Sequence, residues 1–111
     1  TPAYVGKAHL LYSVGEAEEA ERLYKKALEA VPNSFEVHLA LGSLYSDLKD
    51  VQEAIKSYKR AIKADKKAPQ PYEALAGIFG RMGLEDKAEE CEEKAERLRK
   101  AQAKSRKQRK K

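Results

Sequence analysis

Tryptophan is absent from the 111 residues, and cysteine and methionine occur once each. A lone Cys91 excludes an internal disulfide framework and a cysteine-built zinc cage, since both need more than one thiol. No apolar run approaches the ~20 residues that a membrane-spanning helix requires, and mean hydropathy is −0.77. Glycine (six) and proline (four) are sparse. No basic-then-apolar leader precedes a cleavage site, so the expected location is intracellular, cytoplasmic or nuclear. The chain opens on Thr1-Pro2 rather than methionine, which suggests processing or an excerpt of something longer. What is abundant is charge, at 37% of residues against a usual ~25%. That composition fits helices with solvated faces around one modest core.

The net charge of +5 hides two opposite regions. Residues 1–96 hold 14 Lys/Arg against 18 Asp/Glu. Residues 97–111 hold nine basic residues and no acid, so the pI of 9.3 belongs to the tail.

Three blocks of 34 residues align without a gap, as Thr1–Ser34, Phe35–Ala68 and Pro69–Gln102. Alanine recurs at the twentieth place (Ala20, Ala54, Ala88) and at the twenty-seventh (Ala27, Ala61, Ala95). The eighth place is always small (Ala8, Gly42, Ala76), and an early ring recurs as Tyr4, His38 and Tyr72. Tyr24 matches Tyr58, and Tyr45 matches Phe79. Within each block two apolar-periodic segments flank a break, at Gly15-Glu16, Lys49-Asp50 and Gly83-Leu84. Glycine at such a break takes the left-handed conformation that ends a helix. The small residues let paired helices approach while the tyrosines fill the space beside them.

This pattern resembles the tetratricopeptide repeat family across residues 1–102. The middle block matches best, through Leu41, Gly42, Tyr45, Ala54, Tyr58 and Ala61, whereas Lys7 stands where leucine is usual in the first. The resemblance implies an all-α fold: a right-handed superhelical stack of three helix-turn-helix hairpins, at 1–34, 35–68 and 69–102. Glu92 and Glu96, in places that hold apolar residues in the earlier blocks, give the third a capping character. Its last helix is expected to run on through Lys94–Lys104, with the basic tail 103–111 disordered or fraying.

Reactive groups are thin on the ground. His38 occupies a core place, and His9 has no second metal ligand one turn away. Cys91 sits among Glu89, Glu90, Glu92 and Glu93, surroundings that disfavour a thiolate. Phosphate loops, nucleophile elbows and zinc motifs are missing. The expectation is a non-catalytic protein with no cofactor and no metal.

The resemblance further implies a concave groove lined by the first helix of each repeat. Its places fall on Pro2, Val5, His9, Tyr12 and Ser13, then Glu36, Leu39, Ser43, Ser46 and Asp47, then Gln70, Glu73, Gly77, Gly80 and Arg81. Family members that hold chaperone C-terminal carboxylates use a Lys/Asn clamp. The matching places here read Val5, His9, Ala40, Gln70 and Ala74, so that ligand is disfavoured. What remains is a mildly acidic groove for a partner peptide or helix with apolar anchors and one or two basic residues.

The tail offers a second reading. Lys104, Arg106, Lys107, Arg109, Lys110 and Lys111 carry like charge at a density that promotes disorder. They suit non-specific nucleic-acid phosphate contacts or nuclear import. Anionic membrane would attract the same charges, but no apolar face accompanies them; simple solubilisation fits as well, and so does self-association through exposed repeat ends.

Overall fold

The three breaks close helices in one and the same way. Gly15, Lys49 and Gly83 all have positive φ, at 89°, 65° and 80°. Each is followed by a backbone N–H that reaches back to the preceding helix: Glu16 to Leu11 O (2.8 Å), Asp50 to Tyr45 O (2.9 Å) and Leu84 to Phe79 O (2.9 Å). With the shorter bonds from Gly15, Lys49 and Gly83 themselves (3.1 Å each), this is the Schellman termination. Lysine at 49 adopts a conformation that glycine takes at no steric penalty.

The computed structural model describes the backbone of residues 3–109 and the side chains of 5–106. Among the described residues the fold is all-α, with α1 Ala3–Ser13, α2 Ala17–Ala30, α3 Phe35–Asp47, α4 Val51–Ala64, α5 Gln70–Arg81 and α6 Glu85–Arg109. They pair as the hairpins α1–α2, α3–α4 and α5–α6. None of these helices is long and apolar enough to cross a membrane. Starts are also written locally: Ser34 and Asp50 accept the N–H of Val37 (3.3 Å) and Glu53 (3.4 Å) as N-caps, and Pro71 stands in the first turn of α5, where a missing N–H costs no helical hydrogen bond.

The chain divides into two compact units between Asp65 and Lys66. In the first, α3 packs on both α1 and α2. Ala8, Ala20, Tyr24, Ala27, Val37, Leu41, Leu44, Ala54, Tyr58 and Ala61 form its core. Tyr58 lies flat on Gly42, where an added Cβ would come within 2.7 Å of the ring. His38 is buried, and its Nε2–H donates to Pro32 O at 2.8 Å. Tyr45 donates to Glu21 Oε2 at 2.5 Å, joining α3 to α2, and burial first and that hydrogen bond second push its pKa upward.

In the second unit Leu75, Ala76, Ile78, Ala88 and Ala95 make a smaller core. Glu92 and Glu96 are exposed there. The Lys87 ammonium stands over the half-buried Phe79 ring, 5.7 Å from its centroid. α6 outruns its partner helix: Gln102 donates to Lys67 O at 3.3 Å, and the helix continues to Arg109. The described part of the tail is therefore helical as far as Arg109. Lys, Arg and Ala are strong helix formers, and cations at a helix C-terminus face its negative dipole end.

Candidate protein-binding face

Position and periodicity put His9 and Tyr12 one turn apart on α1, and Glu36, Ser43 and Asp47 along α3. The packing of α3 on α1 joins them into two polar clusters. Glu36 has only acceptors, so the His9 Nε2 that lies 3.2 Å from its Oε1 carries the proton. His9 Nδ1 then accepts from the Tyr24 hydroxyl at 2.5 Å, with the two rings edge-on and their centroids 5.4 Å apart. In the second cluster Tyr12 donates to Asp47 and accepts from Ser43 Oγ at 3.0 Å. Burial first, and Asp47 second, push the Tyr12 pKa up to about 12; burial pushes Tyr24 up to about 12 as well.

Between the clusters Leu39 is half-buried, as are Ser43 and Ser46, while Glu36 and Asp47 are exposed. The face thus combines one apolar side chain with fixed hydroxyls and carboxylates. It offers hydrogen bonds and a mildly negative field, with side chains already held in place before any ligand arrives.

Val5 does not belong to this face. It is 2% exposed and packs into the first hairpin's core, because its place on α1 turns it towards α2 with Ala8. In the second unit Gln70, Glu73, Gly77, Gly80 and Arg81 all lie exposed on α5. Glu73 Oε2 accepts from Arg99 Nη1 of α6 at 2.6 Å. A Cβ built on Gly77 or Gly80 would meet nothing within 4 Å, so packing inside the unit does not require glycine at either place. Of the tail, Lys104 and Arg106 are exposed; the side chains of Lys107 and Arg109, and Lys110 and Lys111 entirely, lie outside the described residues, as does Pro2.

Two features have no signal in the sequence. The Glu73–Arg99 pair spans 26 positions, and only an antiparallel layout of α5 and α6 brings it together. An open recess of about 380 Å³ in the first unit is lined by Leu28, Pro32, Asn33, His38, Arg60 and Lys63. Among the described residues no three His, Cys, Asp or Glu side chains come together as metal ligands.

The sequence profile of the tetratricopeptide repeat family matches residues 5–69. This chain belongs to that family. It is 30% identical over 69 residues to cell division cycle protein 27 homolog A of Arabidopsis thaliana, a match covering 62% of this chain and 9% of that protein. Its fold is similar to the crystal structure of MamA, with a TM-score of 0.89 at 20% identity, covering 92% of this chain and 60% of MamA. It is also similar to the second TPR of Spaghetti (RPAP3) bound to the HSP90 peptide SRMEEVD, with a TM-score of 0.80 at 17% identity, covering 86% and 89% of the two chains. At those identities the two structures speak to the fold alone. The chain spans less than a tenth of its Arabidopsis relative and about three-fifths of MamA.

Proposed function

We propose that this chain is a non-catalytic protein–protein interaction module, and that its first unit holds a peptide or helix of a partner on the α1–α3 face. The observation that carries this reading is the convergence of His9, Tyr12, Glu36, Ser43 and Asp47 around the half-buried Leu39. Side chains fixed by mutual hydrogen bonds lose little entropy when a ligand docks, which favours binding. The family membership supports the same class of function.

The chemistry of the face selects the ligand. Glu36 and Asp47 repel an acidic tail, and His9 already donates to Glu36, so it does not offer a carboxylate clamp. A segment with an apolar anchor for Leu39 and one or two basic residues fits better. The test is a display selection of random peptides on the intact chain, followed by anisotropy titrations. Selected peptides should be basic and apolar and should lose roughly tenfold or more in affinity on Leu39→Glu, with helicity unchanged. The peptide SRMEEVD should not bind. Binding of SRMEEVD, or selected peptides indifferent to Leu39→Glu, would contradict the proposal.

A further inference from the structure

The second unit carries a helix whose charge is arranged along one face, and that arrangement is independent of the groove. α6 is held to α5 through Ala88 and Ala95, both buried, with Cys91 and Leu98 half-buried on the same side. At 3.6 residues per turn, Asp86, Glu89, Glu93, Glu96, Arg97, Lys100 and Lys104 fall on the opposite side, and all are exposed. Position 107, again a lysine, continues the row. No cation precedes Arg97 on this stripe and no acid follows Glu96. The two cations of the acidic half, Lys87 and Lys94, sit on the flank, Lys87 over the Phe79 ring.

A helix dipole favours acids at its first turn and bases at its last. That effect fades within a turn, whereas this segregation runs the whole length of α6 and switches at one peptide bond. The pattern is also symmetric about that bond. Counting outward, Glu96 mirrors Arg97, Glu93 mirrors Lys100, Glu89 mirrors Lys104 and Asp86 mirrors Lys107. A second α6 laid antiparallel on the first, with a twofold axis beside the Glu96–Arg97 bond, brings each acid opposite a cation. The axis repeats every pair, which is the self-complementarity an isologous contact needs. A parallel pairing would instead set acid on acid and base on base.

We propose that the outward face of α6 docks a second copy of this chain, antiparallel, through this mirrored row of ion pairs. Lys100 bonds within its own helix to Glu96 at 3.4 Å, but the two are 77% and 60% exposed, so the bond is readily exchanged for one across the dimer. Glu90, at the margin of the row, meets Ala103 in this register and stays in solvent. The contact has no apolar seam, so it is weak, reversible and salt-sensitive, and it presents two binding units at once.

Sedimentation of the full chain tests this at about 20 mM and about 500 mM NaCl, which take the screening length from roughly 20 Å to about 4 Å. The intact chain should dimerise at low salt, with its dissociation constant rising at least about tenfold at high salt. Glu89→Lys/Glu93→Lys leaves only Asp86 and Glu96 acidic in a row that is otherwise basic, and Lys100→Glu/Lys104→Glu leaves the row predominantly acidic. Each variant alone should be monomeric, and an equimolar mixture should restore the dimer. Circular dichroism of each variant checks that it stays folded. A monomeric intact chain at low salt would overturn the proposal, as would a dimer that persists in either variant or whose dissociation constant does not change with salt. So would a chain that stays monomeric yet binds a short RNA duplex through the same residues, because the occupant would then be a phosphate polymer.

Discussion

The two units are cut from the same 34-residue template and spend it differently. In both, paired alanines lie buried at matching places and the first helix ends in a Schellman turn. At the place between those alanines the first unit buries Tyr24 and Tyr58, whereas the second exposes Glu92. The first unit knots its α1–α3 face together with hydroxyls and carboxylates. The second leaves bare backbone at Gly77 and Gly80 and sends its last helix beyond the hairpin. One template can therefore supply a preorganised face in one region and a charged, solvent-facing helix in another. What decides is which side chains fill the places that the hairpin geometry leaves open.

The sharpest way to break this contrast is to empty the same place in both units. Tyr24→Ala removes a fully buried ring and the partner of His9, and should cost about 3–5 kcal/mol of stability by chemical denaturation. Glu92→Ala should stay within about 0.5 kcal/mol of the parent, because nothing is buried there. Equal losses at the two sites would mean that the units are not different after all.

Glycine gives the next contrast. Gly42→Ala should destabilise by about 1–3 kcal/mol, since the new Cβ meets the Tyr58 ring at 2.7 Å. Gly77→Ala and Gly80→Ala should each stabilise by about 0.5–1 kcal/mol, since a methyl there fits and restricts the unfolded chain. If either α5 variant also weakens partner binding, close backbone approach by a ligand is the reason for glycine at that place. At the helix ends, Lys49→Gly should add about 1 kcal/mol by relieving a left-handed lysine, and Gly83→Ala should lose a comparable amount. Thermal melts resolve both.

Much of this was legible beforehand, for a physical reason. Breaks and buried small residues are dictated by local backbone geometry and by the period of the helix. Gly15, Gly83 and the alanine pairs therefore declared the hairpins without any tertiary knowledge. Lys49 shows the limit: its φ of 65° follows from its place in the repeat, and its residue type gives no hint of it. The site was legible only in part. His9, Tyr12, Glu36, Ser43 and Asp47 were picked out by their places in the repeat, but their hydrogen bonds to one another depend on how α3 packs on α1. Val5 shares α1 with His9 and Tyr12 but is 2% exposed, a burial that its place in the repeat does not reveal. The end of α6 is not legible from charge alone, because like-charge repulsion opposes order in the tail while helix propensity and the Gln102–Lys67 hydrogen bond favour it.

A smaller effect separates the units by pH. Tyr12 and Tyr24 keep their protons in the fold up to about 12, whereas the unfolded chain releases them near 10.0. Between those values the unfolded state binds fewer protons, so stability is fully present below pH about 10 and declines as pH rises towards about 12. Unfolding of the first unit, followed by tyrosine absorbance, should show this alkaline loss. Tyr12→Phe should shrink it.

The most direct test of the binding claim is amide chemical-shift mapping of the full chain with a selected basic-apolar peptide. The largest perturbations in the first unit should fall on His9, Tyr12, Leu39, Ser43, Ser46 and Asp47, and Leu39→Glu should abolish them. Perturbations centred instead on the recess around Leu28, Arg60 and Lys63, with the α1–α3 face unmoved, would contradict it.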